Sequence, residues 1–89
     1  MAASDPIEQL PNLGPKSSRW LRDSGILTIG DLENIGPVAA FMIVRNQGIP
    51  VSLNLLYGMS AGLERRDWRE LCDGEKADLR RQLNALEAH

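Results

Sequence analysis

The chain has 89 residues, of which 43% are hydrophobic and 25% are charged, and its net charge at pH 7 is -2. This length allows one hydrophobic core, so we expect a single domain over residues 1–89 with its core between about residues 7 and 86. The acidic balance excludes a strongly basic nucleic-acid binder. The single cysteine, Cys72, excludes a disulfide framework and a cysteine-rich zinc site.

The sequence has no feature that predicts a membrane protein. No apolar run approaches ~18 residues, the length that a membrane-spanning helix requires. The first residues have neither the basic n-region nor the apolar h-region of a secretory signal. A lone cysteine is typical of a reducing compartment. We therefore expect a cytoplasmic protein without membrane contact.

The first third of the chain predicts two short helices. The first helix is predicted over residues 4–10 and ends at Pro11. Residues 15–23 favour the second, because Pro15 has its φ close to the helical value and no N–H group to leave unpaired. Between them, Gly14 can take a positive φ and come close to a neighbouring segment.

Two further helices are predicted before residue 50. Thr28 and Asp31 have the spacing of an N-cap and a first-turn carboxylate, which predicts the start of the third helix. Gly36-Pro37 ends that helix and opens the fourth, in the same way that Gly14 precedes Pro15.

The fifth helix is predicted to begin at Ser52, to run through about Leu63 and to be the longest. Its apolar face is broad, which is typical of a central, largely buried helix. Asn54 is polar amid apolar neighbours, and we expect it to be partly buried and hydrogen-bonded. Gly58 and Gly62 lie four residues apart, a spacing that close packing by another helix would explain.

The remaining segments complete an all-α prediction. Residues 64–70 have mixed charge and are interpreted as a solvated connector, with Trp68 and Leu71 packed back under the core. Asp73 is the predicted cap of a last helix that reaches towards Ala88. Since no segment has the alternating pattern of a strand, we expect a compact bundle of five or six short helices. Six residues are predicted to form its core: Trp20, Leu32, Phe41, Leu53, Leu56 and Leu79.

The sequence offers little catalytic chemistry. His89 is its only histidine, so a Ser–His or Cys–His pair cannot be assembled inside the domain. Cys72 is interpreted as semi-buried packing. Carboxylate pairs such as Asp31 and Glu33 lie at helix starts, where they interact favourably with the helix dipole. We therefore expect no enzyme, no catalytic residue, no metal site, no cofactor and no small-molecule substrate.

The stretch from Leu10 to Ser18 has two interpretations. One is a plain corner between two helices. The other is a phosphate site, because a helix N-terminus offers free N–H groups and the positive end of the helix dipole. The candidate nucleic-acid-binding residues of such a site are Gly14, Lys16, Ser17 and Arg19.

This stretch resembles the first half of a helix-hairpin-helix unit. The resemblance includes Leu10 to Ser17, Gly25-Ile26, Thr28 and Asp31-Leu32. Members of that superfamily commonly hold a DNA phosphate with the hairpin glycines and the next helix N-terminus. The sequence departs from the pattern at Asn12, which stands where the first hairpin glycine usually lies.

A second resemblance covers about residues 7 to 83. Leu10 to Ser17 and Ser52 to Tyr57 are similar to two motifs of the C-terminal domain of the TfoX/Sxy competence regulators. Gly62, Trp68 and Lys76 continue the match in register. The resemblance implies an all-helical domain without a known reaction, with a role in regulating genes for DNA uptake in transformation.

Two functional hypotheses follow from these resemblances. The first is a regulatory module that acts through contacts with an unidentified protein partner, with Asn12, Asn54 and Tyr57 as the candidate interaction motif. The second is a helix-hairpin-helix module that holds DNA backbone phosphate at the corner from Gly14 to Lys16. The acidic net charge and the small basic patch, formed by Lys16, Arg19 and Arg22, predict that any nucleic-acid binding is weak.

Overall fold

The computed structural model describes residues 2–88, which form five α-helices and two single turns of 3-10 helix. The helices are α1 (Pro15–Asp23), α2 (Ile29–Ile35), α3 (Pro37–Asn46), α4 (Leu53–Leu63) and α5 (Asp73–Glu87), and the 3-10 turns are Ile7–Gln9 and Trp68–Glu70. Residues 2–88 contain no β-strand, so the predicted all-α fold is confirmed. None of the helices in this part of the chain is both long and apolar enough to cross a bilayer.

The N-terminal segment forms one 3-10 turn instead of the predicted helix. Only one turn fits there, because the residue before a proline is driven to extended backbone, and Leu10 before Pro11 has φ -67° and ψ 129°. The turn still buries Ile7 and Leu10. The N–H of Ile7 donates to the carbonyl of Leu27 at 3.0 Å, which ties the N-terminal segment to the start of α2.

Reciprocal side-chain caps begin two helices. At α2, Thr28 Oγ1 accepts from the Asp31 N–H at 3.1 Å, and the Asp31 carboxylate accepts from the Thr28 N–H at 3.1 Å. The predicted start of this helix is therefore confirmed. At α5 the N-cap is Cys72 and not Asp73, because Glu75 stands three residues after Cys72 and closes the same kind of box. The thiol of Cys72 is exposed, and its interpretation as semi-buried packing is wrong.

The core is one cluster of buried apolar side chains from all five helices, and α4 contributes the most buried residues. Trp20 packs against this cluster and is half-buried. Leu53 is 36% exposed, so its predicted place in the core is wrong. It is the first residue of α4, and burial along this helix begins only at Leu55. Four residues of the predicted core are buried: Leu32, Phe41, Leu56 and Leu79.

A loop, and not a helix, packs against the glycines of α4. A Cβ atom built on Gly62 would lie 2.5 Å from the carbonyl oxygen of Pro11 and 3.0 Å from Cγ of Leu10. Only glycine allows the main chain of the loop to approach this closely. The close packing predicted for Gly58 and Gly62 is present, and it brings the segment Leu10–Asn12 onto the C-terminal half of α4.

The longest helix is α5, with 15 residues, and not α4, with 11, so the predicted order of helix lengths is wrong.

Candidate functional site

Asn12 joins the segment before α1 to α4 and to the connector that follows α4, 46 to 56 positions away. Its side-chain amide donates to the carbonyl of Arg66 at 2.8 Å and to the carbonyl of Gly58 at 3.3 Å. Its side-chain oxygen accepts from the N–H of Trp68 at 3.3 Å. The amide of Asn12 thereby satisfies main-chain groups of α4 and of the connector after it.

The backbone of Asn12 lies in the left-handed region, with φ at 74°. Asparagine adopts this region more readily than other residues with a side chain. Asn12 therefore takes a backbone conformation that a glycine would adopt freely. Unlike a glycine, it also supplies the side chain that reaches α4 and Trp68.

A cavity of about 340 Å³ opens beside Asn12. One wall comes from residues 12–20, at the start of α1, and the other comes from residues 50–68, on and after α4. We call it the tryptophan cavity, because both tryptophans of the chain line it. All its lining residues are uncharged: Asn12, Leu13, Ser17, Trp20, Pro50, Ser52, Asn54, Leu55, Gly58 and Trp68.

Each tryptophan of the cavity has a lysine over its ring. The Lys16 ammonium nitrogen lies 5.4 Å from the centroid of the Trp20 ring. That of Lys76 lies 5.7 Å from the Trp68 ring. These distances are within the range of a cation–π interaction. The chain has only two lysines, and each of them therefore lies over a tryptophan that lines the cavity.

An ion pair fixes the connector that carries Trp68. The Arg66 guanidinium donates to both carboxylate oxygens of Glu75, at 2.7 and 3.0 Å, and to the carbonyl of Glu70 at 3.0 Å. The hydrogen bonds from Arg66, and a further one from the Cys72 N–H, lower the pKa of Glu75 to about 2. Residues 64–70 are therefore held by specific bonds, and their interpretation as a merely solvated connector is incomplete.

The candidate interaction motif is divided between two places. Asn12 and Asn54 line the tryptophan cavity from opposite walls. Tyr57 is buried outside it, where its hydroxyl accepts from Arg80 at 2.9 Å and the Lys76 ammonium lies 5.5 Å from its ring. Tyr57 therefore anchors α5 to α4.

The predicted hydrogen bond of Asn54 is wrong. This side chain is exposed and forms no hydrogen bond within residues 2–88. Asn54 lies in the first turn of α4, before the buried part of the helix begins. Its amide is consequently available at the mouth of the cavity.

The four candidate nucleic-acid-binding residues lie on different sides of α1. Gly14 is the N-cap and has φ -85° with open space around it, so the expected positive φ and close approach are absent. Ser17 lines the tryptophan cavity, whereas Arg19 lines a second cavity with Glu8, Arg22 and Asp23. Lys16 lies over Trp20. The basic side chains therefore do not converge on one phosphate position.

Sequence reasoning did not identify the tryptophans as site residues. Trp20 was expected only in the core and Trp68 only beneath it, yet both line the cavity and remain half-buried. Their signal in the sequence is a lysine at i-4 for Trp20 and at i+8 for Trp68. His89, the histidine dismissed as a catalytic candidate, lies outside the described residues.

Comparisons with known proteins give one structural and one family match. The crystal structure of an uncharacterized protein from Listeria monocytogenes is similar to this chain with a TM-score of 0.80 and 26% sequence identity. The match covers 94% of this chain and 96% of that one. A search of curated proteins gives no significant match.

The family match agrees with the two motifs that flank the tryptophan cavity. The family model of the TfoX C-terminal domain matches residues 3–83. This span contains all five helices except the end of α5, and every residue that lines the cavity. The chain belongs to the TfoX C-terminal domain family.

Proposed function

We propose that this chain is a non-enzymatic regulatory module of the cytoplasm that acts through contacts with a protein partner. In line with its family, it takes part in regulating the genes for DNA uptake in transformation. The observation that supports a binding role is the tryptophan cavity, where two half-buried indoles lie beside the exposed amide of Asn54. Aromatic side chains of this kind are enriched where proteins bind one another.

The composition of the cavity favours binding over catalysis. Its lining contains tryptophan, asparagine, serine, leucine, proline and glycine, and none of these side chains is an acid or base near neutral pH. General acid–base chemistry needs a group whose pKa lies near the working pH. The lining supplies surface and hydrogen bonds instead.

Binding of DNA phosphate at the start of α1 is the second candidate function. It is favoured by the N-terminus of α1, which has no side-chain cap and has Lys16 in its first turn. It is disfavoured by Arg22, which forms an ion pair with Glu8 at 3.0 Å, and by the net charge of -2.

The test is genetic and uses the full chain in its source organism. The gene is deleted and then complemented with the wild type, with Asn54→Glu, or with Arg81→Ala as the control on the outer face of α5. Transcripts of the DNA-uptake genes and the transformation frequency are measured.

We expect the deletion to change both quantities, the wild type and Arg81→Ala to restore them, and Asn54→Glu to fail while accumulating normally. Unchanged transcripts in the deletion strain would contradict the regulatory role. Full rescue by Asn54→Glu would contradict the role of the cavity.

A further inference from the structure

We infer that the tryptophan cavity takes an acidic peptide segment that carries an apolar side chain. This inference rests on the proposed function, since it names the chemistry of the partner segment that the module would bind. It follows from the lining of the cavity, from the two lysines beside it and from the ion pairs of the surrounding surface.

The lining suits a peptide better than a small charged ligand. Trp20, Leu55 and Pro50 give apolar surface for a side chain. The exposed amide of Asn54 can both donate to and accept from a peptide main chain. No charged group lies in the lining itself. The nearby positive charge comes from Lys16 and Lys76, which lie over the lining tryptophans and which we call the rim.

The rim supplies two cations without acidic partners. Within residues 2–88 every ion pair uses an arginine, and neither Lys16 nor Lys76 takes part in one. Acidic groups near Trp68 are already bound, Asp67 by Arg69 and Glu75 by Arg66. The first turn of α1, which carries Lys16, contains no acidic residue, whereas α5, which carries Lys76, begins with Asp73 and Glu75. A carboxylate that approaches Lys16 therefore meets attraction without a competing acid in the same helical turn.

The position of the lysines disfavours single-stranded nucleic acid as the occupant. A base binds such a site by stacking on the face of an aromatic ring. At Trp20 and Trp68 an ammonium group already lies over one face of the ring, so a base can stack only on the other face. A carboxylate binds the same ammonium in place and leaves the cation–π contact intact.

The experiment uses the intact chain and synthetic peptides. The probe is a short peptide in which Asp and Glu flank a Leu-Phe pair. One control peptide has Lys in place of the acids, and another has Ala in place of Leu-Phe. A thymidine oligonucleotide is a further arm. Because both tryptophans of the chain line the cavity, their fluorescence and their two indole N–H NMR signals report directly on occupancy.

Charge variants at Asn54 keep the inference falsifiable, because this side chain is exposed and its replacement leaves the core unchanged. We expect the acidic probe to bind Asn54→Lys about fivefold more tightly than wild type and Asn54→Asp about fivefold less tightly, with the opposite order for the lysine peptide. The double variant Lys16→Gln/Lys76→Gln should lose about tenfold in affinity. Arg81→Gln, on the same helix as Lys76, should bind within about twofold of wild type.

Three results would overturn the inference: no shift of either indole signal with the acidic probe, equal affinity of Asn54→Lys and Asn54→Asp, or tighter binding of the oligonucleotide than of the probe. Its failure is distinguishable from failure of the proposed function. If Asn54→Glu abolishes the transcript response while the acidic probe does not bind, the regulatory role stands and the partner chemistry is wrong. If the probe binds and deletion leaves transcripts unchanged, the partner chemistry stands and the regulatory role is wrong.

Discussion

The side-chain amide of Asn12 donates a hydrogen bond of 2.8 Å to the carbonyl of Arg66, although 54 positions separate the two residues. The same side chain bonds the main chain of Gly58 and of Trp68. These bonds hold the segment before α1 against the connector after α4. The position of Trp68 at the cavity therefore depends on a residue near the other end of the chain.

The first prediction separates the backbone of Asn12 from its side chain. Asn12→Gly keeps the positive φ and loses the hydrogen bonds, and we expect it to lower the free energy of unfolding by about 1–2 kcal/mol. Asn12→Ala loses the bonds and also strains the backbone at φ 74°, so it should cost about 1 kcal/mol more. Urea denaturation measures both. Equal stability of the two variants would show that the backbone conformation does not matter.

The second prediction uses two glycines of α4 as a matched pair. Gly62→Ala places a Cβ 2.5 Å from the carbonyl oxygen of Pro11, and we expect a loss of about 1–3 kcal/mol. At Gly58 the nearest atom would lie at 3.5 Å, an ordinary contact. Gly58→Ala should therefore be neutral or stabilising by up to ~1 kcal/mol, because alanine favours the helix. Thermal and urea melts that rank the two variants in the opposite order would refute the packing described for the loop.

The third prediction compares a buried and an exposed leucine of the same helix. Leu56 is fully buried, and Leu56→Ala should lower the free energy of unfolding by about 2–5 kcal/mol. Leu53 is 36% exposed, and Leu53→Ala should change stability by less than about 0.5 kcal/mol. Chemical denaturation of both variants tests this. A loss of less than about 0.5 kcal/mol for Leu56→Ala would show that this residue is not part of the core.

The fourth prediction concerns acid. The pKa of Glu75 falls from an ordinary value of 4.5 to about 2, chiefly because Arg66 donates hydrogen bonds to its carboxylate. The folded-state pKa is the lower one, so the stabilisation is fully present above 4.5 and is lost as the pH falls towards 2. The free energy of unfolding should decline over this window in the wild type and decline less in Glu75→Gln.

The pKa of Asp67 is also lowered to about 2, by hydrogen bonds from Arg69. Asp67 therefore contributes to the same decline in stability, and part of that decline persists in Glu75→Gln. The matched control is Glu33→Gln, which removes an exposed carboxylate that forms no ion pair in the described chain. It should retain the wild-type decline. An unchanged pH profile in Glu75→Gln would show that the pair with Arg66 is not formed in solution.

The fifth prediction concerns DNA. Two or three phosphate contacts at the start of α1 would give a slope of about -2 to -3 for log K against log salt, at ~0.9 per phosphate. We expect weak binding of duplex DNA by the isolated chain at physiological salt. Lys16→Glu should leave the circular dichroism spectrum unchanged, because Lys16 is exposed. Tight, salt-sensitive binding that Lys16→Glu abolishes would favour the nucleic-acid hypothesis over the protein-contact hypothesis.

Local signals account for the parts of the fold that the sequence predicts well. Pro15 marks the start of α1, and Thr28 with Asp31 marks the start of α2, because capping and proline preferences act between residues a few positions apart. The two motifs that identify the family also lie within short stretches. The N-cap role of Cys72 is not predicted from the sequence, because cysteine is an unusual cap and the neighbouring Asp73 is a common one.

Contacts between distant segments account for what the sequence does not reveal. The sequence predicts a side-chain hydrogen bond for Asn54 and gives no sign of one for Asn12. In the structure the Asn12 side chain is bonded and the Asn54 side chain is exposed. Which asparagine is bonded depends on the segment that packs against it, and for Asn12 that segment is 46 to 56 positions away. No periodicity along the chain encodes such a pairing. The meeting of Trp20 and Trp68 at one cavity is hidden for the same reason.

The walls of the tryptophan cavity come from residues 12–20 and 50–68, which α2 and α3 separate along the chain. Contacts between segments so far apart form more slowly than the local contacts of a helix, because the intervening loop must first close. During synthesis, α1 can therefore be complete while its half of the cavity still faces water with nothing opposite. A partner that recognised both walls would discriminate between the nascent and the finished chain, and a fragment that stops before α4 would offer it only the first wall.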